Sequence, residues 1–310
     1  MRRLLIAVAA GTAVALTACG NGDEGGGSDA DVTVGLSIST LENPFFVTLR
    51  DGAEEAADEA GVELRVSDAR DDAQSQADDV QDFVTRDVDV LVINPVDSAA
   101  IVPSIEAAND ADIPVVTVDR GSEGGEVASH IASDNVQGGR LAGEFLFEEI
   151  GGSGEVAQLE GIAGTSAARD RGAGFEEALD AASGIELVSS QAADFSRDEG
   201  LTVAENVLQA NADLGGVFAQ NDEMALGAVE AARSAGVLDE LVIVGFDATD
   251  DALAAIEDGE MDATIAQQPD EMGRLGIETA VSIAGGDDVE AEQPVEVQLV
   301  TADNVGEFAE

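Results

Sequence analysis

The 310-residue sequence contains no tryptophan and no tyrosine, one cysteine, one histidine and six prolines, and all 13 of its basic residues are arginines. Each scarcity excludes something. A lone cysteine, Cys19, permits no disulfide within the chain. A lone histidine, His130, leaves no Cys/His set for a zinc-type site and no credible Ser-His-Asp triad. His130 lies in the apolar run His130-Ile131-Ala132 and reads as a structural side chain in a strand. No Walker loop and no Gly-x-Gly-x-x-Gly run occurs, and Gly151-Gly152-Ser153-Gly154 reads as a plain turn. Positive charge is scarce: 13 arginines face 65 acidic residues, a formal net charge of −52. That balance excludes nucleic acid and anionic lipid headgroups as direct partners, because phosphate binding needs cationic neutralisation. The same charge repels itself at low salt. In molar salt the Debye length falls to about 3 Å and the repulsion is screened, so the composition reads as halophilic. Acidic pairs such as Asp71-Asp72, Asp250-Asp251 and Asp287-Asp288 read as solvated surface. Disorder does not fit a chain that is 45% hydrophobic.

What is present begins with an export pattern. Met1-Arg2-Arg3 precedes an apolar run from Leu4 to Leu16 and the ending Leu16-Thr17-Ala18-Cys19, which predicts a signal peptide over residues 1–18. The run is too short to span a bilayer, which takes about 20 apolar residues. The Leu-Thr-Ala-Cys ending resembles a bacterial lipobox. That resemblance implies a lipidated Cys19 as the first mature residue, on the outer face of the cell membrane, with two acyl chains needed for stable anchoring. Residues 19–31, rich in Gly and Asp, read as a flexible tether. The folded part is expected to begin near Val32.

From there strands and helices alternate. Val32–Ile38 reads as a strand and Pro44–Ala60 as a helix closed by Gly61. Glu63–Val66, Val88–Ile93 and Pro114–Val118 follow as strands, with helices over Ala73–Arg86 and Ala99–Ala108 between them. The rhythm restarts after His130–Ser133 with a helix over Asn135–Ile150. Strands are then predicted at Glu155–Leu159, Ile185–Val188, Gly215–Ala219, Leu241–Gly245, Ala263–Ala266 and Val295–Leu299. Apolar strands alternating with helices predict α/β architecture with parallel sheets covered on both faces. About 280 residues suit two lobes better than one open sheet.

In open α/β sheets ligands bind beyond the carboxyl ends of the strands. Those positions carry Asn43-Pro44-Phe45-Phe46, Asp119-Arg120, the stretch Gly161–Gly172 with Arg171, Asp194-Phe195, Gln220-Asn221-Asp222-Glu223, Phe246-Asp247 and Gln267. The mixture suits a sugar. Phenylalanine can lie on the C–H face of a sugar ring. Carboxylates accept from adjacent hydroxyls, arginine donates in a fork, and Asn and Gln do both. Unpartnered buried hydroxyls cost roughly 1–3 kcal/mol each, so a specific site satisfies nearly all of them. Taken singly, each residue also has a plainer reading: Asp119 and Asn221 as helix caps or turn residues, Phe45 and Phe46 as core, Arg171 as a surface side chain.

The stretches Leu41–Phe46, Val127–Asn135, Gly161–Gly172, Ala219–Gly227 and Val244–Asp247 resemble the bacterial ribose-binding family, the substrate-binding components of ribose ABC importers. The likeness runs from about Val32 to Leu299. It implies two Rossmann-like lobes joined by a three-segment hinge, the type 1 periplasmic binding protein fold. The lobes would be residues 32–133 with 268–295 and residues 134–267 with 296–310, with crossings near Ser133, Gln267 and Glu296. It further implies that Asn43, Phe45, Phe46, Asp119 and Arg120 bind ligand from the first lobe, Arg171, Phe195, Asn221 and Asp247 from the second, and Gln267 from the hinge. D-ribose or a related monosaccharide would be held by hinge closure and delivered to an importer's permease, by a monomer with no cofactor, no metal and no enzymatic activity. Three features depart from the family: the lipid anchor, the acidity, and Ala248 where glycine is common, which matters if φ there is positive. A sugar-responsive transcription regulator shares the fold, but a signal peptide occupies the place of its DNA-binding segment. Another pentose, a ketose, a sugar-like signal or a chemotactic sensing role remain alternatives. A glycosidase carboxylate pair is set by spatial separation, and products from incubated glycosides would reveal one.

Overall fold

The computed structural model describes residues 32–308. The export pattern, Cys19 and the tether lie outside the described residues. Two six-stranded sheets organise this part of the chain.

The first sheet grows from β1 (Thr33–Ile38), β2 (Glu63–Asp68), β3 (Val90–Ile93), β4 (Val115–Val118) and β5 (Ser129–Ser133). Helices α1 (Pro44–Ala60), α2 (Ala73–Thr85) and α3 (Val102–Asp110) connect the first four of these. The second sheet is built from β6 (Gly154–Glu160), β7 (Ile185–Ala192), β8 (Leu214–Ala219), β9 (Val242–Val244) and β10 (Ala263–Ala266). Its helices are α4 (Asn135–Glu149), α5 (Ser166–Ala181), α6 (Arg197–Ala210), α7 (Asp222–Ala235) and α8 (Asp250–Glu257). Helix α9 (Pro269–Gly285) returns to the first sheet, packing on β3, β4, β5 and α1. The last two strands, β11 (Glu292–Val295) and β12 (Gln298–Thr301), then add one edge to each sheet. The orders are β11-β5-β4-β3-β1-β2 and β12-β10-β9-β8-β6-β7. All pairings are parallel except β10 with β12. The chain therefore passes between the sheets three times: from β5 into α4, from β10 into α9, and between β11 and β12.

Local chemistry explains the boundaries. Helix α1 starts where Asn43 accepts a hydrogen bond from the Phe45 N–H and Pro44 presets φ, and it ends at Gly61 in the left-handed region. Strands β3 and β4 are buried throughout because helices cover both faces of the sheet. In the second sheet alternation sorts the core. Val156, Phe218, Val244 and Ile265 face α4 and α5, where Phe175 lies 5.0 Å from Phe218 and 5.4 Å from Phe147. Ala157, Val217 and Ile243 face the opposite layer with Met224 and Val229 of α7. Each fully buried Phe or Ile contributes roughly 1.5–3 kcal/mol.

Three elements differ from the expectation. The strand read at Val295–Leu299 is two strands in different sheets, because the chain crosses over between Val295 and Gln298. Strand β7 continues past Val188 to Ala192 through Ser189, Ser190 and Gln191. It is an exposed sheet edge, where no apolar run marks a strand. Helix α3 begins at Val102 instead of Ala99, since Asp97 accepts from the Ala99 and Ala100 N–H groups and holds 97–101 as a turn.

Candidate functional site

The carboxyl ends of the two sheets' parallel strands converge on one small cavity. Ten of its lining side chains are the ten that the family resemblance implied, and Ala167 is an eleventh. From the first sheet come Asn43, Phe45 and Phe46 after β1, and Asp119 and Arg120 after β4. From the second come Arg171 on α5, Phe195 after β7, Asn221 after β8, Asp247 after β9 and Gln267 after β10.

Two buried Asp–Arg pairs dominate the electrostatics. In the first, the Asp119 carboxylate accepts from Asn94 Nδ2 at 3.0 Å and lies 3.6 Å from Arg120 Nε. Arg120 donates to the Pro95 carbonyl at 3.3 Å, while its Nε has no hydrogen-bond partner among the described residues. Its guanidinium sits over the rings of Phe46 and Phe195, at 5.1 and 5.5 Å, so it meets aromatic faces carried by both sheets. In the second pair, Arg171 donates to Asn135 Oδ1 at 2.8 Å and to the Gln220 carbonyl at 2.6 Å. It stacks 3.7 Å above Phe246 and lies 3.6 Å from Asp247. Asp247 also accepts from Gln267 Nε2 at 2.6 Å, leaving Gln267 Oε1 without a partner. Arg120 and Arg171 are each only 3% exposed.

Burial shifts the carboxylates. It pushes Asp119 up, opposed by the neighbouring Arg120 and Arg171. It pushes Asp247 well above the usual carboxylate range, with Arg171 opposing and Asp222 adding to the rise. Asp222, behind the cavity wall, is pushed up to about 7 by burial against hydrogen bonds from Thr264 and Thr249.

The backbone is strained where it serves the cavity. Asp119, Phe195, Asp247 and Ala248 have φ of 60°, 60°, 128° and 59°, a region non-glycine residues rarely adopt. Ala248 thus carries the left-handed cost that a glycine would avoid. Close helix contact places Arg171: a Cβ at Gly139 of α4 would strike the Arg171 carbonyl, and one at Gly174 of α5 would strike that of Val136.

The plainer readings of Asn221, Phe45 and Phe46 hold alongside the cavity role, and Asn43 proves to be a cap as well. Asn43 and Asn221 cap α1 and α7 through Oδ1, and Asn221 Nδ2 also donates to the Phe195 carbonyl at 3.3 Å. Phe45 and Phe46, edge to face at 5.1 Å, are both core and cavity wall. Direct contacts between the two sheets' loops close one side of the cleft. Ser98 N–H donates to the Gly164 carbonyl at 2.9 Å, Gly121 N–H donates to Ser166 Oγ at 2.8 Å, and Arg169 pairs with Glu123 at 3.4 Å.

Residues 34–288 match the periplasmic binding protein domain. The chain belongs to the periplasmic binding protein family. Two curated relatives are similar over most of their length. The ribose import binding protein RbsB of Haemophilus influenzae is 48% identical, covering 88% of this chain and 93% of that protein. RbsB of Escherichia coli is 49% identical over 86% and 90%. An ABC transporter solute-binding protein from Bacillus halodurans, solved with myo-inositol, superposes with a TM-score of 0.87 at 33% identity, covering 91% of this chain and 98% of the other. The periplasmic binding protein fold places two parallel-sheet lobes around the cleft just described.

Several residues that support this binding protein's site were not chosen as site residues from the sequence. Asn94 directly follows β3, so the strand-end rule reaches it. Its Oδ1 accepts from the Ser39 N–H, and its Nδ2 donates to both Asp119 and the Val118 carbonyl. Gln220 accepts from the Gly161 N–H at 2.8 Å. Asn135 and Asp222 brace other side chains from behind, and no spacing rule marks them.

Proposed function

We propose that this chain captures a monosaccharide, D-ribose, and delivers it to an ABC importer. One observation carries the reading: a small cavity walled by three phenylalanines and two buried Asp–Arg pairs, drawn from both lobes. Phe45, Phe46 and Phe195 flank the ring faces. Asp119 and Asp247 accept from hydroxyls. Arg120, Arg171 and the amides of Asn43, Asn221 and Gln267 donate to hydroxyl and ring oxygens. The unpartnered Arg120 Nε and Gln267 Oε1 are a donor and an acceptor that a hydroxylated ligand satisfies. The ribose import relatives support the choice of sugar.

The lobes are residues 32–133 with 268–295 and residues 134–267 with 296–310, and the three crossings act as the hinge. A sugar touching both lobes favours the closed form by differential affinity, and the permease reads that form. The chain works as a monomeric binder without cofactor, metal or chemical turnover. Its signal peptide is removed, and lipidated Cys19 holds it outside the cell by the 19–31 tether, in a salt-rich medium.

Calorimetric titration of residues 31–310 with D-ribose in about 2–3 M salt tests the reading, in the regime where surface repulsion is screened. One-to-one binding that Asp119→Ala or Asn221→Ala abolishes is the expected result. Folded protein that gives no heat with ribose ends the ribose assignment, and silence across pentoses, hexoses and ketoses ends the sugar-binding reading.

A further inference from the structure

Asp222 is the first residue of α7 and fully buried, yet it does not line the cavity. Its carboxylate meets no cation within ion-pair distance among the described residues; hydrogen-bond donors surround it instead. Oδ2 accepts from the Thr249 N–H at 2.8 Å and from Thr249 Oγ1 at 3.3 Å, and Oδ1 accepts from Thr264 Oγ1 at 2.7 Å. Its own N–H donates to the Phe246 carbonyl at 2.8 Å. Thr264 Oγ1 in turn accepts from the Ala248 N–H at 3.3 Å. A Cβ at Gly245 would run into the Asp222 carboxylate. Residues 245, 246, 248 and 249 are thus each fitted to Asp222, directly or through Thr264.

The one residue of this turn without such a tie is Asp247, at its apex, with φ 128° followed by φ 59° at Ala248. Two consecutive residues in that region persist only when their surroundings over-determine them. Phe246, held by the same clamp, is the ring on which Arg171 stacks, and Asn221 is the residue just before Asp222. We propose that Asp222 is a positioning residue for the sugar site, clamping the 245–249 turn so that Asp247 faces the ligand beside Arg171 and Asn221.

The chemistry asks for a carboxylate. Thr249 offers a backbone N–H that cannot reverse, and Thr264 a hydroxyl that donates its one proton to Asp222 while one of its two lone pairs accepts from Ala248. An asparagine can keep the first bond only by turning its NH2 toward the second, where the Thr264 hydroxyl can then only accept, and its proton loses the carboxylate that orients it for Ala248.

The inference rests on the sugar-binding reading, so the test has one arm that needs no sugar. Hydrogen exchange of the Ala248 and Thr249 amides in the unliganded protein is compared between the parent, Asp222→Asn and Thr264→Val. Both variants are expected to lose at least tenfold protection at these amides while the strand amides of both sheets keep theirs. Unchanged protection in both variants overturns the clamp. The second arm is a double-mutant cycle on D-ribose affinity. Asp222→Asn is expected to weaken binding about tenfold in the parent and less than twofold in Asp247→Asn. An equal loss in both backgrounds means Asp222 does not act through Asp247 and overturns the positioning role. If turn protection falls as expected but the parent binds no sugar, the ribose reading fails and the clamp stands.

Discussion

The two halves of the cleft hold the same charge pair built in opposite ways. In the first lobe carboxylate and guanidinium are sequence neighbours, Asp119 and Arg120, on a single turn after β4. In the second, Arg171 comes from α5 and Asp247 from the turn after β9. The bracing differs too. Arg120 has one long bond to a carbonyl, an unpartnered Nε and rings no nearer than 5.1 Å, whereas Arg171 has two short bonds and a ring packed beneath it at 3.7 Å. Asp119 is steadied by the neutral Asn94 and Asp247 by the neutral Gln267, but Asp247 also has the ionisable Asp222 behind it. The first pair has bonding capacity left for a ligand. The second is built into the lobe's own framework, so ligand binding and folding share the same groups there.

The largest expected effect separates the two arginines. Arg171→Ala leaves Asp247 buried without its cation and should cost about 3–5 kcal/mol of stability. Arg120→Ala should cost clearly less, because Asp119 still feels Arg171 and only one long bond is lost, whereas removing Arg171 strips two buried acceptors of their donor; sugar binding is lost in both. Thermal unfolding of the two unliganded variants in high salt measures the gap, and equal midpoints would erase the distinction between the halves.

Next comes pH. Sugar hydroxyls donating to Asp119 and Asp247 favour the charged carboxylates, so binding lowers pKa values that burial has raised. Affinity should therefore be full above the raised values and fall as the pH drops through them, with protons released on binding. Asp247→Asn should remove more of this dependence than Asp119→Asn, since Asp247 stands well above the usual carboxylate range. Titration in buffers of different ionisation enthalpy reads the protons directly.

The smallest effect sharpens the strain on the second side. Ala248→Gly removes a left-handed cost of roughly 1–2 kcal/mol and adds about 0.5–1 kcal/mol of chain entropy. The unfolding midpoint should rise slightly while affinity stays within twofold. A fall in midpoint would mean that the φ of 59° carries no strain.

The first half of the cleft was the more legible one. Asp119-Arg120 stands immediately after an apolar run, so strand-end reasoning finds both together. Arg171 lies inside a helix, and on spacing alone it reads as a surface side chain; the family resemblance singled it out. The bracing side chains were hardest to read. Asp222 follows Asn221 in what looks like an ordinary capped helix start, and only the fold shows that Thr249 and Thr264 converge on it. Strand β7 was read short for a related reason. Hydrophobic patterning reports burial, and Ser189, Ser190 and Gln191 pair at an edge without being buried.

The paired edge strands β11 and β12 have a consequence for how the chain acquires its structure. The first sheet begins at Thr33, yet its outer strand is residues 292–295, which pair with β5 far upstream in the sequence. The second sheet waits on residues 298–301 in the same way. Neither lobe is complete until nearly the whole chain has been synthesised, and both are finished by one ten-residue stretch. Such long-range pairing makes for slow, late consolidation. A chain stopped before Glu292 would lack an edge on both sheets at once, so the two lobes share a final folding step although their sheets are separate.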